Sequence, residues 1–413
     1  MEPWAKIITG DSRNMVEVDN EAVDLIITSP PYWQIKDYGE SNQVGYNQSL
    51  HDYLKDLFRV WSEAFRILRA GRRLCINIGD QFARSIIYGR YKIIPLHSEV
   101  ISQCEELGFD FMGSIIWQKK TTMNTTGGAT IMGSFPYPPN GMVEIDYEHI
   151  LIFKKPGDSV KIDKSIKEKS EITKEEWKEY FSGHWYFGGA RQVEHEAMFP
   201  DELPHRLIKM FSFYNEVVLD PFLGSGTTAK AAINLGRNAI GYEINESFKN
   251  IIKSKLETDS ADLFKSDNVT FVKQQGPIEK HAITYQPRIQ DANCKIEPGL
   301  LKFKEQRLYR VVSLAEPDTL QLDTGLRAKL LGITLRQDKT DSISDYMNKY
   351  VLKKEVFLRL DKDAVLNKSS VQAYIYLKNK IFINAYLLKA GLAVVDAAAK
   401  FDQKEKFMKL SSK

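Results

Sequence analysis

The stretch Val217-Val218-Leu219-Asp220-Pro221-Phe222-Leu223-Gly224-Ser225-Gly226-Thr227-Thr228 constrains the fold of this chain more than any other. An apolar run of strand length enters a glycine turn, and a helical stretch from Ala229 to Gly236 follows. A second strand, Asn238-Ala239-Ile240-Gly241-Tyr242, then ends at Glu243. Strand, turn, helix and strand in this spacing make a crossover unit, which implies parallel strands with helices on the sheet faces. Glycines let the backbone approach a ligand closely. The acid stands roughly 20 residues past them, where a carboxylate reaches ribose hydroxyls in a doubly wound sheet. The third glycine of the dinucleotide fingerprint is absent, Thr227-Thr228 opens the helix, and no Walker lysine follows. An uncharged nucleoside carrying an amino acid therefore fits the turn better than a pyrophosphate.

A second segment lies far upstream. The apolar strand Val23-Asp24-Leu25-Ile26-Ile27 runs into Thr28-Ser29-Pro30-Pro31-Tyr32-Trp33. Two prolines fix φ twice and extend the residue before each, so this segment cannot become helix. Proline brings no N–H to compete for its own carbonyls, and a rigid rim of acceptors is expected beside the Ser29 hydroxyl. Tyr32 and Trp33 add aromatic faces. Such a rim suits a flat ring bearing an exocyclic amino group. A Pro-Pro pair alone is an ordinary strand exit; its pairing with the glycine turn changes that reading.

Together the two segments resemble the amino-methyltransferases that act on DNA with S-adenosylmethionine. Thr28 to Trp33 matches their catalytic motif and Asp220 to Thr228 their cofactor motif. The catalytic motif comes first, which resembles the permuted beta arrangement with target recognition between the two. Gly10-Asp11-Ser12, the run Glu63 to Asp80, Glu148-His149-Ile150-Leu151-Ile152-Phe153-Lys154-Lys155-Pro156-Gly157 and the run His195 to Pro204 match further landmarks, over about residues 5–255. The resemblance implies a doubly wound Rossmann-like α/β sheet. It implies Ser29, Pro30, Pro31 and Tyr32 as catalytic. Asp11, Thr28, Phe199, Asp220, Phe222, Gly224, Ser225, Gly226, Thr227 and Glu243 would surround S-adenosylmethionine, with Asp11 near the adenine.

Composition is consistent with that reading. The chain has 413 residues, enough for two or three domains. No apolar run approaches the roughly 20 residues of a membrane helix, and the start Met1-Glu2-Pro3-Trp4 does not resemble a secretory leader. A cytoplasmic protein is expected, with no membrane partner. Net charge is only +3, so phosphate contacts would come from a local basic face. The 3 cysteines, Cys75, Cys104 and Cys294, lie far apart and off any catalytic-looking loop, so neither a metal site nor covalent activation of a pyrimidine ring is expected. What remains is direct transfer to an exocyclic amino nitrogen. Acceptors at Ser29 and the Pro30 region would favour a pyramidal nitrogen, and the target base of duplex DNA must be flipped out to reach them. Tyr32 is the expected stacking partner. Trp33 divides evenly between base contact and core packing.

Residues 121–194 break the alternation of strands and helices and form the expected target-recognition region. The loop Gly133-Ser134-Phe135-Pro136-Tyr137-Pro138-Pro139-Asn140 would border the base pocket, with Tyr137 as a contact. Arg191 and Gln192, after the aromatic run Trp185-Tyr186-Phe187, carry the donors that base-edge readout needs. The lysines between Lys154 and Lys178 alternate with acids and read mostly as a solvated face.

Past residue 257 the chain changes. Residues 258–300 read as a linker holding one strand at Val269-Thr270-Phe271-Val272, so a chain cut near Thr258 is expected to keep cofactor binding. Residues 301–413 hold five short β-rich runs and two helix candidates, near Ile383–Leu392 and Gln403–Leu410, which together suggest a small barrel. This part resembles the staphylococcal nuclease family, an OB-type barrel, mostly at packing positions. Lys329, Thr334, Gln337 and Ser370 stand where that family has catalytic or calcium-binding residues, and Asp318 alone keeps a metal-ligand type, too little for calcium. A barrel without nuclease activity, binding nucleic acid or a partner, is expected.

The resulting expectation is a site-specific cytosine-N4 DNA methyltransferase of a restriction-modification system, because family members with Ser before Pro-Pro-Tyr-Trp resemble cytosine enzymes. Adenine-N6 methylation, a methyltransferase-nuclease and a non-catalytic nucleic-acid-binding protein stay open as alternatives. A homodimer and a cognate restriction endonuclease are the further partners left open.

Overall fold

The computed structural model of the protein describes residues 2–34, 39–40, 42–83, 92–119, 133, 135–188, 200–258, 268–275, 283–290, 296, 300–301, 308–361 and 366–411. The chain divides into two compact units, one of residues 1–46, 52–81 and 95–289 and one of residues 47–51, 82–94 and 290–413. No helix among the described residues is long and apolar enough to cross a membrane.

The first unit is built on nine strands: β1 (Ala5–Thr9), β2 (Val23–Thr28), β3 (Leu68–Ile78), β4 (Asp110–Lys119), β5 (Tyr147–Lys154), β6 (His184–Phe187), β7 (Val217–Asp220), β8 (Asn238–Glu243) and β9 (Val269–Lys273). Their order across the sheet is β9-β1-β8-β7-β2-β3-β5-β4-β6. The run from β9 to β3 is parallel throughout, and β5 runs against both of its neighbours. Parallel strands covered on both faces read as continuous apolar runs. Accordingly every residue of β2 is buried, and Leu25, Ile26 and Ile27 are fully so. Burying each such side chain contributes about 1.5–3 kcal/mol.

Topology places a crevice between β7 and β2. From β7 the chain moves to β8 on one side, whereas from β2 it moves to β3 on the other. Ligands of doubly wound sheets bind beyond the carboxyl ends of strands at such a reversal. Both sequence motifs begin there. Helix α1 (Leu50–Ile67) separates β2 from β3, α2 (Leu96–Glu106) follows β3, α3 (Lys164–Lys169), α4 (Lys174–Tyr180) and α5 (Glu202–Phe211) follow β5, and α6 (Thr227–Asn234) and α7 (Phe248–Thr258) flank β8. Ala229, Ala231 and Ala232 bring α6 close to the sheet.

The linker expectation for residues 258–300 is corrected here. Strand β9 pairs with β1 from Ala5↔Val269 to Thr9↔Lys273 and forms one edge of the main sheet. Just beyond it, Gln274 Oε1 accepts from Asp11 N at 2.8 Å and Gln274 Nε2 donates to the Asn14 carbonyl at 2.6 Å. A cut at residue 258 would remove that edge and its hold on the Asp11 loop, so the first unit ends near residue 289.

The second unit has strands β10 (Tyr309–Glu316), β11 (Thr319–Leu322), β12 (Arg327–Leu330), β13 (Ile333–Leu335), β14 (Glu355–Leu360), β15 (Ser370–Leu377) and β16 (Ala393–Val395). The pairings β12-β11-β10-β14-β15 close on themselves through a parallel β12–β15 ladder. Helices α8 (Thr340–Tyr350), α9 (Ile383–Lys389) and α10 (Lys404–Ser411) accompany the ring. Buried Asn384 pins α9 to it, donating to the Leu331 carbonyl at 2.9 Å and accepting from Ile375 N at 3.0 Å.

Candidate active site

Strand β2 delivers the Pro-Pro loop and β7 the glycine turn, side by side, with Leu25 opposite Val218 and Ile26 opposite Leu219. At their ends Thr28 Oγ1 donates to Asp220 Oδ1 at 2.9 Å. Asp220 Oδ1 also accepts from Phe222 N at 3.0 Å, and Oδ2 accepts from Thr228 Oγ1 at 2.6 Å. Thr28 and Asp220, expected around the cofactor, are 0% and 1% exposed. They are struts that join the two loops.

Burial pushes the Asp220 carboxyl up to about 6, against the three hydrogen bonds that lower it. A carboxyl raised on folding binds its proton more tightly in the folded chain than in the unfolded one. Stability therefore falls as pH rises from about 4 to about 6, and is lowest in this respect above that window. Asp220→Asn should flatten that dependence, read as urea unfolding midpoints at pH 4.5 and 7; an unaltered pH profile would mean that Asp220 is not the titrating group.

In the glycine turn Gly224 has φ +55° and Gly226 +91°, the left-handed region. Gly224 N donates to Glu243 Oε2 at 2.9 Å, and Asn245 N donates to Glu243 Oε1 at 2.9 Å. Burial raises the Glu243 carboxyl while these two amides oppose the rise. The acid at the end of β8 thus fixes the turn from below. A Cβ built at Gly224 meets no protein atom within 4 Å, so the turn leaves room above it. Ser225 and Thr227, expected as cofactor contacts, are both buried, and their hydroxyls accept from Lys255 Nζ at 3.0 and 2.8 Å. Phe222 is half-buried beside the turn. If the cofactor occupies the space above Gly224, Gly224→Ala should lower cofactor affinity by more than it lowers stability, since the methyl would enter that space and the left-handed backbone costs only about 1–2 kcal/mol; calorimetry against thermal unfolding compares the two.

Asp11 is buried, and its carboxylate is bound by Arg13 Nε at 2.9 and 3.0 Å. Arg13 also pairs with Asp56.

On the catalytic loop, Tyr32 Oη donates to Glu148 Oε1 at 2.5 Å. Burial, then the neighbouring Glu148 charge, holds this phenol well above its usual range, so it stays a donor. Glu148 also pairs with Lys119, and its Oε2 accepts from Asn77 Nδ2 at 2.7 Å. Asn77 Nδ2 lies 3.4 Å from Ser29 Oγ. Sequence reasoning places Glu148 and Asn77 only within landmarks and misses Lys119 altogether. They come from β5, β3 and β4, and only the antiparallel insertion of β5 brings them together. The Pro31 carbonyl accepts from Tyr53 Oη at 3.0 Å, so the acceptor rim is narrower than proline chemistry alone implies. Trp33 is 4% exposed and packs in the core, the second of the two roles between which the sequence divides it. Tyr137 is 67% exposed. Phe199, Arg191 and Gln192 lie outside the described residues.

Two further groups bear on the chemistry. Burial pushes the Cys75 thiol up to about 12, which makes it inert as a nucleophile. Asp80, His97 and His149 cluster nearby, with His97 Nδ1 2.8 Å from Asp80 Oδ1 and the two imidazoles stacked at 4.0 Å and 14°. One ligand atom from each of the three lies within 4.8 Å of the others, close enough to share a cation.

Comparison with known proteins agrees with this geometry. Type II methyltransferase M.MjaI of Methanocaldococcus jannaschii is 37% identical over 296 residues, covering 65% of this chain and 96% of that protein. Type II methyltransferase M.MthZI of Methanothermobacter thermautotrophicus is 32% identical over 280 residues, 62% and 77% of the two chains. Among solved structures, a Thermus thermophilus protein described as a putative DNA modification methylase, in complex with S-adenosyl-L-methionine, is 32% identical. It covers 66% of this chain and 100% of its own, with a TM-score of 0.52. The profile of the N6/N4 DNA methylases matches residues 23–254, more than half of the chain and both loops of the crevice, so this protein belongs to the N6/N4 DNA methylase family.

Proposed function

We infer that the protein is a site-specific Type II DNA methyltransferase that methylates the exocyclic N4 of cytosine in duplex DNA, using S-adenosyl-L-methionine. The observation that carries this reading is the junction of the Pro-Pro loop and the glycine turn through Thr28 and Asp220 at the reversal of the sheet. The room above Gly224, with Glu243 beneath the turn and Phe222 beside it, fits this cofactor. S-adenosylmethionine supplies its methyl group as an electrophilic sulfonium substituent.

The chain's own residues prepare the acceptor. Ser29 Oγ and the backbone of the Pro30 region take the amino hydrogens of the flipped base and favour a pyramidal nitrogen. Tyr32, tied to Glu148 by its hydroxyl, keeps its ring fixed for stacking at no further ordering cost. Flipping costs a few kcal/mol of unstacking. Support for cytosine over adenine comes from Ser29, a neutral hydroxyl before Pro30-Pro31 where adenine enzymes carry a carboxylate. Residues up to 289 would form the methyltransferase domain, with target recognition in 121–194.

Residues 301–413 would form an OB-type, staphylococcal-nuclease-like barrel without nuclease activity. The closed five-strand ring supports this, as does the Asp318 carboxylate, which pairs with Lys329 Nζ at 3.2 Å and accepts from Thr319 Oγ1 at 2.8 Å. A nucleic-acid-binding role suits that barrel, and a cognate endonuclease would share the methylated sequence. The deciding experiment is to methylate unmodified DNA, digest it to nucleosides and identify the product by mass spectrometry. N4-methylcytosine is expected; N6-methyladenine would reassign the base, and no methylated nucleoside would sink the enzyme reading.

A further inference from the structure

The second unit contains a cleft of about 820 Å³ lined in part by Tyr346, Tyr350, Lys353, Lys354, Lys378 and Tyr386. Tyr346 and Tyr350 stand one turn apart on α8, so they share a face. The Tyr346 ring stacks on Tyr386 of α9, with centroids 4.4 Å apart and planes 12° from parallel. Tyr346 is thereby buried, while Tyr350 and Tyr386 stay 47% and 43% exposed. A packed ring thus backs two accessible ones.

Lysines surround these rings. Three line the cleft against a single acid, Glu355, which pairs with Lys378 at 2.6 Å. Lys353 holds φ +62°, a backbone that glycine adopts without strain and lysine does not. Its amide donates to the Val311 carbonyl at 2.9 Å, which fixes that turn beside the cleft. Protein-docking surfaces are depleted in lysine, whereas exposed rings flanked by ammonium groups match unpaired bases joined by phosphates. A stacked duplex hides its base faces from such rings. None of Asp318, Lys329, Thr334, Gln337 and Ser370, the positions equivalent to a nuclease centre, lines this cleft.

We propose that the cleft between α8 and α9 binds an unpaired stretch of nucleic acid, stacking bases on Tyr350 and Tyr386 and holding phosphates with Lys353, Lys354 and Lys378. The proposal rests on the reading of this unit as nucleic-acid-binding and gives it a location. The probe is fluorescein-labelled oligothymidylate, whose bases carry no exocyclic amino group for methylation, titrated by anisotropy into the full-length protein. Tyr350→Ala with Tyr386→Ala should weaken binding about tenfold or more. Lys353→Gly with Lys354→Gln should reduce the slope of log affinity against log salt by about 1.4, at roughly 0.7 per phosphate contact. Because Lys353→Gly relieves the left-handed backbone, its thermal midpoint should hold or rise, which separates lost binding from lost folding. Unchanged affinity and slope in both folded variants would overturn the proposal. So would bromodeoxyuridine crosslinks that map only outside residues 346–386. Methyl transfer to duplex DNA, measured on the same samples, tests the enzyme reading independently, since its failure would leave the oligothymidylate result standing.

Discussion

Ser29→Ala should slow single-turnover methyl transfer by about 10²–10³-fold, the scale on which loss of one oriented hydrogen-bonding group at a reacting centre is felt, and Tyr32→Ala should slow it by the roughly 1–3 kcal/mol of one base-stacking ring. Cofactor affinity should stay within about twofold of the parent, since neither side chain belongs to the glycine turn. The geometry sharpens the expectation for Tyr32. Its hydroxyl is one of three groups on the Glu148 carboxylate, together with Asn77 and Lys119. Tyr32→Phe keeps the ring but frees it from that anchor. It should therefore fall between Tyr32 and Tyr32→Ala in rate, while binding a DNA with an abasic target site as well as the parent does. Rapid-quench measurement with pre-bound cofactor reads the rate directly. Parent-like rates in Ser29→Ala and Tyr32→Ala would remove the loop from the chemistry.

Glu243→Ala should raise the dissociation constant for S-adenosylmethionine by about 10–150-fold, equivalent to the roughly 1.5–3 kcal/mol of a hydrogen bond to a charged group. Two effects combine. On the proposed reading the carboxylate is lost as a partner for the ribose hydroxyls, and Gly224 N and Asn245 N lose the acceptor that holds the turn. Glu243→Gln keeps one carbonyl acceptor and should recover part of the affinity. Isothermal titration of the three proteins gives the order; equal affinities would place the cofactor elsewhere.

The two loops are legible from the chain because their chemistry is local. Paired prolines dictate an extended exit wherever they stand, and the glycines at 224 and 226 adopt the left-handed backbone that their absence of Cβ permits. The direction of the side chains is not legible. Thr28, Asp220, Ser225 and Thr227 are polar residues in the expected loops, yet they face inward, onto one another or onto Lys255. Polarity marks a need for a partner without saying whether that partner is a ligand or the protein. Glu148, Asn77 and Lys119 are hidden for another reason. They lie on three strands that become neighbours only through the reversed β5, a pairing that no sequence period announces. The strand at Val269 is legible, but its place beside β1 is not, because it follows a polar stretch that reads as a connector.

That last strand also sets a timetable for synthesis. Strand β1 is synthesised well before both of its sheet neighbours, β8 and β9, which come from residues 238–273. The Gln274 contact that closes the Asp11 loop spans 263 positions. At translation rates of about 5–20 residues per second, β1 waits roughly 13–50 s for its partners. Ala5, Ile7 and Ile8, all buried in the finished sheet, are exposed through that interval. Strand β1 thus gains its place only after about 230 later residues have been made, and until then its apolar face depends on transient cover.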